Sequence, residues 1–107
     1  MKRMGQVIQV KPEKVEYYKK LHSKVWPGVK NMITECNIKN YSIFMCCGFL
    51  FAYFEYHGFD YDSDMIKMEA DPMTQKWWEE CIPCQQPVDF AGPEEWWANM
   101  EEVFHQD

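Results

Sequence analysis

The stretch Tyr41–Glu55, YSIFMCCGFLFAYFE, decides how this chain folds. Two apolar runs, Tyr41–Cys47 and Phe49–Glu55, flank Gly48, and the simplest reading of such a pair is a β-hairpin. The uncharged run from Tyr41 to Phe54 covers 14 residues, short of the roughly 20 that a membrane-spanning helix needs. It is core, not membrane. Strands this apolar are predicted to be buried on both faces, or on one face with a second subunit against the other.

Upstream, Asn37–Asn40 is turn-like, and Pro27–Cys36 reads as a short helix with Val29, Met32, Ile33 and Cys36 inward. Trp26-Pro27 separates it from an earlier helical pattern, because the residue before proline avoids helical geometry. That pattern runs from Pro12 to about Val25. Val15, Tyr18, His22 and Val25 recur at spacings of three and four, and Lys14, Glu16, Lys19 and Lys20 occupy the other sides. Met4–Val10 is partly β-branched and reads as an opening strand. Downstream, His57–Ser63 is a loop, and Asp64–Cys81 is helical with a break at Asp71-Pro72. Ile82–Pro93, rich in proline, is an irregular connection. Trp96–His105 is a strand or a short helix, its VFH ending favouring a strand. The order β-α-β-β-α-β is the ferredoxin-like α+β arrangement. One sheet face takes the helices; the other is too apolar to be wet, which predicts a homodimer of sheets packed face to face.

The chain has 107 residues, enough for a single domain spanning 1–107. With 47% hydrophobic and 17% aromatic residues it is not a disordered chain. Eleven basic residues against 17 acidic ones leave a net charge of −6, which argues against nucleic acid as a partner. The opening MKRMGQ is followed by no apolar stretch of signal-peptide length, so the expected location is cytoplasmic, with no membrane attachment. Five cysteines, an odd number without an export signal, point to reduced thiols.

His22 is the most informative titratable residue, since imidazole exchanges protons near neutral pH. It follows Tyr18 by four residues on the inward helical face, so both polar groups require partners there. Tyr41 and the tandem Trp77-Trp78 are the other candidates: aromatic faces suit the C–H faces of sugars, and phenols orient polar ligands. All of these also read as ordinary core residues. Consecutive tryptophans on a helix point in different directions, so at most one is expected to be fully buried. Cys81-Ile-Pro-Cys84 has redox or metal spacing, but it follows a helix instead of starting one, and no second such pair completes a zinc set. His57 and His105 read as surface or edge residues. No phosphate loop, nucleophile elbow or zincin motif is present.

Taken together, VIQVKP (7–12), EYYKKLHSKVWPGV (16–29), NYSIF (40–44), LFAYFEY (50–56), DPMTQKWW (71–78) and MEEVFH (100–105) resemble the L-rhamnose mutarotase family. The matching pieces run in family order over nearly the whole chain. The resemblance implies a cytoplasmic homodimer with a ferredoxin-like, dimeric α/β-barrel fold. It also implies a monosaccharide substrate, interconversion of the α and β anomers of a 6-deoxyhexose, and no cofactor and no metal. By the same resemblance the proton-donating histidine falls on His22, and the sugar-binding positions fall on Tyr18, Tyr41, Trp77 and Trp78.

Two places depart from the family pattern. Gly28 stands where many relatives carry an acidic residue, and CIPCQQPVDFAGPEEWW (81–97) differs from the best-known bacterial members. The second leaves L-fucose beside L-rhamnose as the sugar. Ring opening of a hemiacetal needs a proton delivered to the ring oxygen and one taken from the anomeric hydroxyl, which a neutral-range imidazole can do. A cofactor-free monooxygenase on the same barrel architecture and a non-catalytic sugar-binding dimer are the competing readings.

Overall fold

The protein is described by a computed structural model covering every residue from Met1 to Asp107. The hairpin forms where the apolar runs place it. Strand β2 spans Ile38–Cys46 and β3 spans Phe49–Tyr56, joined by Cys47 and Gly48 at φ 53° and 81°. Both turn residues are left-handed, as a two-residue hairpin turn of this twist demands, and glycine supplies one at no steric cost.

Strand β1, Lys2–Val10, pairs antiparallel with β3 from Lys2↔Tyr56 to Gln9↔Phe49. The sheet order is β2-β3-β1-β4, with a further short strand, β5, also on β1. Strands β4 (Gln85–Gln86) and β5 (Ala98–Met100) share the far edge of β1, so the fourth strand of the ferredoxin-like pattern is split in two. Two expectations are corrected here. The connection after Ile82 contains β4, and the terminal strand is confined to Ala98–Met100. The VFH ending lies outside it, with Val103 and Phe104 88% and 76% exposed. Beyond Met100 the chain leaves the edge of β1 and is tied back by the Arg3–Glu102 ion pair, Nε to Oε1 2.7 Å.

Helices α1 (Val15–Ser23), α2 (Pro27–Glu35), α3 (Tyr61–Ala70) and α4 (Pro72–Cys81) cover one sheet face. A short 3-10 turn, Pro12–Lys14, opens α1, and Pro27 and Pro72 start α2 and α4 where a missing N–H costs nothing. Helix α3 begins three residues before the expected Asp64, because the Asp60 carboxylate accepts from the Ser63 amide at 3.1 Å and caps it. Turn-like Asn37–Asn40 is also partly strand: β2 starts at Ile38, and Asn37 and Asn40 take φ 65° and 51°.

The inner sheet face carries Ile8, Val10 and Leu50, packed against Tyr18, Val29 and Trp77. A second cluster joins Ile38, Phe54 and Tyr56 to Cys36 and Met68. On the outer face, Val7 is covered by Val88 and Ala98, while Phe44 and Phe51 remain exposed. Helix α2 approaches α4 closely at Gly28, where an added Cβ would lie 3.0 Å from Met73 Cγ. No helix is long and apolar enough to cross a membrane.

Candidate functional site

Between the helices and the inner sheet face lies a cavity of about 810 Å³, open to the surface. That size suits a small organic ligand. Tyr18, His22, Tyr41, Trp77 and Trp78 all line it, so every residue singled out from sequence for binding or proton transfer meets there.

Helix α1 brings Tyr18 and His22 onto one face because they are one turn apart. Their rings stack with centroids 4.1 Å apart and planes 23° off parallel. The imidazole also meets Trp77 edge-on, with centroids 5.1 Å apart, and Trp77 in turn meets Trp26 at 5.2 Å. The His22 Nδ1 lies 2.9 Å from the carbonyl oxygen of Tyr18. A carbonyl only accepts, so Nδ1 carries the proton, and in the neutral ring Nε2 holds a free lone pair. Burial among these rings lowers the His22 pKa below 6.5, and the Tyr18 carbonyl opposes the shift only in part. His22 is therefore a neutral base with a fixed tautomer at pH 7.

Helix α4 supplies both tryptophans. Its N-terminus is held by Asp71, which accepts from the Thr74 amide at 2.9 Å and the Thr74 hydroxyl at 2.8 Å. Trp77 is buried and Trp78 half-buried, as two successive helical positions require. Tyr41 reaches the cavity through a β-bulge. The β2–β3 register passes from Lys39↔Glu55 to Ser42↔Tyr53, one residue more on β2 than on β3. Without that extra residue Ile38 and Tyr41 would point to opposite faces; with it both point inward. Asn40 takes the left-handed conformation the bulge needs and donates to Glu55 Oε1 at 2.8 Å. The Tyr41 ring meets Phe54 at 5.5 Å. Tyr41 as a residue is 42% exposed, yet its phenol oxygen sits deep enough that burial pushes its pKa up to about 12. The oxygen is what titrates, so its surroundings govern. Burial also raises the Tyr18 phenol well above its ordinary value, against the opposing hydrogen bond from Gln85.

Reading the sequence passed over four wall residues that bear on a ligand: Gln6, Gln85, Trp96 and Trp97. Gln6 had a signal, being the one strongly polar side chain at an inward position of β1 between Met4 and Ile8. Trp96-Trp97 is a second tandem tryptophan, but only the split edge strand folds it back over the cavity. Gln85 carried no signal at all. It is inward because it pairs with Val10.

Chemically, the cavity offers an unprotonated imidazole, three phenols (Tyr18, Tyr41 and Tyr61) and two carboxamides among aromatic and aliphatic walls. Lys30 is the one formally charged residue on its wall. Such a lining suits a neutral polyhydroxy ligand with an apolar side. The Cys81 thiol is buried, and its pKa is pushed up to about 12, so it stays protonated. All five cysteines are unpaired thiols, and no three His, Cys, Asp or Glu side chains are placed to hold one metal ion.

Comparison with known proteins gives a consistent result. The sequence profile of the family described as L-rhamnose mutarotase matches residues 3–106. Proteins named L-rhamnose mutarotase from Oceanobacillus iheyensis and Phocaeicola vulgatus are 31% and 32% identical, each over the full length of both chains. One from Shouchella clausii is 33% identical over 98% of both. Among solved structures, an L-rhamnose mutarotase from Formosa agariphila superposes with TM-score 0.78 at 22% identity, covering both chains fully. A tetracenomycin F2 cyclase from Streptomyces glaucescens shares the fold, with TM-score 0.70 at 13% identity over the whole of both chains. With the profile spanning nearly all its length and relatives above 30% identity end to end, this chain belongs to the L-rhamnose mutarotase family.

Proposed function

We propose that residues 1–107 act as one mutarotase domain that interconverts the α and β anomers of L-rhamnose, with His22 as the acid–base group. Tyr18, Tyr41, Trp77 and Trp78 bind the sugar. The observation that carries this reading is the Tyr18–His22–Trp77 stack, which leaves a neutral imidazole with its Nε2 lone pair free in a cavity roomy enough to admit a monosaccharide. Nε2 takes the proton of the anomeric hydroxyl. The imidazolium then protonates the ring oxygen, which is bonded to the same carbon and so lies within reach of the same nitrogen. The C1–O5 bond breaks as the aldehyde forms, C1 rotates, and the steps reverse on its other face. Such positioned proton transfer contributes typically 10²–10⁴-fold.

The apolar end of the cavity, with Ile33, Phe54, Met65 and Met68, suits the C6 methyl group of a 6-deoxyhexose. L-fucose shares that methyl and is the second sugar to test. The exposed Phe44 and Phe51 on the outer sheet face support a homodimer, and five unpaired thiols suit the reducing cytoplasm. Saturation-transfer NMR of L-rhamnose and L-fucose anomers tests the function. The parent is expected to accelerate exchange for at least L-rhamnose, and His22→Ala to lose most of it while retaining its circular dichroism. Sugar binding with exchange at the spontaneous rate would mean a binding protein instead.

A further inference from the structure

We propose that Gln85 is a positioning residue: together with Trp96 it turns the Tyr18 hydroxyl into a hydrogen-bond donor aimed at the sugar. The inference rests on the mutarotase reading above.

Gln85 lies in β4 opposite Val10, so its side chain enters the space between sheet and helices and is only 6% exposed. Its carboxamide bridges two cavity residues. The Trp96 indole Nε1–H donates to Gln85 Oε1 at 2.8 Å, and Gln85 Nε2 donates to Tyr18 Oη at 3.4 Å. An amide can be turned end for end, but an indole N–H can only donate. Trp96 therefore forces the oxygen of Gln85 to its own side and the NH₂ to the side of Tyr18. The second bond is long, so its contribution is less to stability than to direction. A phenol that accepts from an NH₂ cannot give its own proton back to it. The Tyr18 hydroxyl makes no other hydrogen bond in the chain, so its O–H is left for a ligand in the cavity that it lines.

The outcome is a matched pair on one face of α1. Tyr18 presents a donor, and beside it His22, protonated on Nδ1, presents an acceptor. Ring opening asks for both: a base at the anomeric hydroxyl, and a donor where negative charge builds on a sugar oxygen. With a side chain at position 85 that accepted from Tyr18, both members of the pair would be acceptors.

Gln85→Glu tests this, because it keeps the shape and the Trp96 bond but places a carboxylate oxygen where the NH₂ stood. The expected result is a loss of L-rhamnose anomer exchange of about tenfold, the scale of one directed hydrogen bond. The same substitution made in Tyr18→Phe should cost nothing further. Independently of activity, protein labelled with ¹³C at tyrosine Cζ should show the Tyr18 resonance shifted in Gln85→Glu without any sugar present. Trp96→Phe, at a 40% exposed residue, is the milder variant should the first fold poorly; it frees the amide to turn and should move the same resonance. An unmoved resonance in both variants overturns the proposal, as does a Gln85→Glu loss that is equal with and without the Tyr18 hydroxyl. A parent that does not exchange anomers overturns the mutarotase reading instead, and the labelled resonance still decides the direction of the bond.

Discussion

His22 shows how one residue's chemistry is set by what touches it. Stacked on Tyr18 and edged by Trp77, it resists protonation, so its pKa lies below 6.5. Anomer exchange should therefore hold steady above pH 6.5 and fall on the acid side as the base form is lost, which a pH–rate profile measures. Stability follows the same sign. Between 6.5 and the folded pKa the unfolded chain binds more protons, so the contribution present above 6.5 is lost as pH drops to the folded value. Cys81 is the contrasting case on the same cavity wall. Burial keeps its thiol protonated, with a pKa pushed up to about 12, so iodoacetamide at pH 7 should leave Cys81 unmodified and exchange unchanged. Rapid inactivation with a label on Cys81, read by mass spectrometry, would contradict that.

At the scale of the element, the site depends on two local devices. One is the Asp71 cap, whose carboxylate holds both the amide and the hydroxyl of Thr74 just ahead of Trp77. Asp71→Ala should cost about 1 kcal/mol or somewhat more, typical of a lost N-cap, read from urea unfolding. It should also reduce exchange, since it loosens the helix that carries both tryptophans. The other device is the bulge at Asn40. Its φ of 51° strains any β-branched side chain, so Asn40→Val should destabilise by about 1–2 kcal/mol. Asn40→Gly should cost less, despite losing the bond to Glu55. If the two variants unfold at the same urea concentration, backbone conformation is not what Asn40 contributes. Gly28 has a reason in the same terms: a side chain there would press on Met73 across the α2–α4 contact.

For the molecule as a whole, the unexplained surface is the outer sheet face. Phe44 at 65% and Phe51 at 37% exposure sit side by side across β2 and β3, and Met100 on β5 is exposed as well. A lone soluble chain seldom leaves such a patch in water. Light scattering at micromolar concentration should return twice the 12.9 kDa chain mass. Phe44→Glu should shift it toward the single mass while the circular dichroism of the fold persists. A parent of single mass would leave the apolar face without its partner and remove the dimer from the proposed function.

The order of elements, the hairpin about Gly48 and the inward face of α1 were all legible in the residues, because each depends on local periodicity and turn chemistry. So were Tyr18 and His22 as a pair, since four residues along a helix is a fixed geometry. The tandem Trp77-Trp78 and Tyr41 were legible only as candidates, equally at home in a core. What tertiary structure decided was non-local. It placed the bulge that turns Tyr41 inward, and it split the last strand into β4 and β5 along the edge of β1. That split folds Gln85, 67 positions along the chain from Tyr18, into the same wall as Tyr18, and Trp96 with it. No periodicity within a helix or strand links residues so far apart, and only pairing along β1 brings them together.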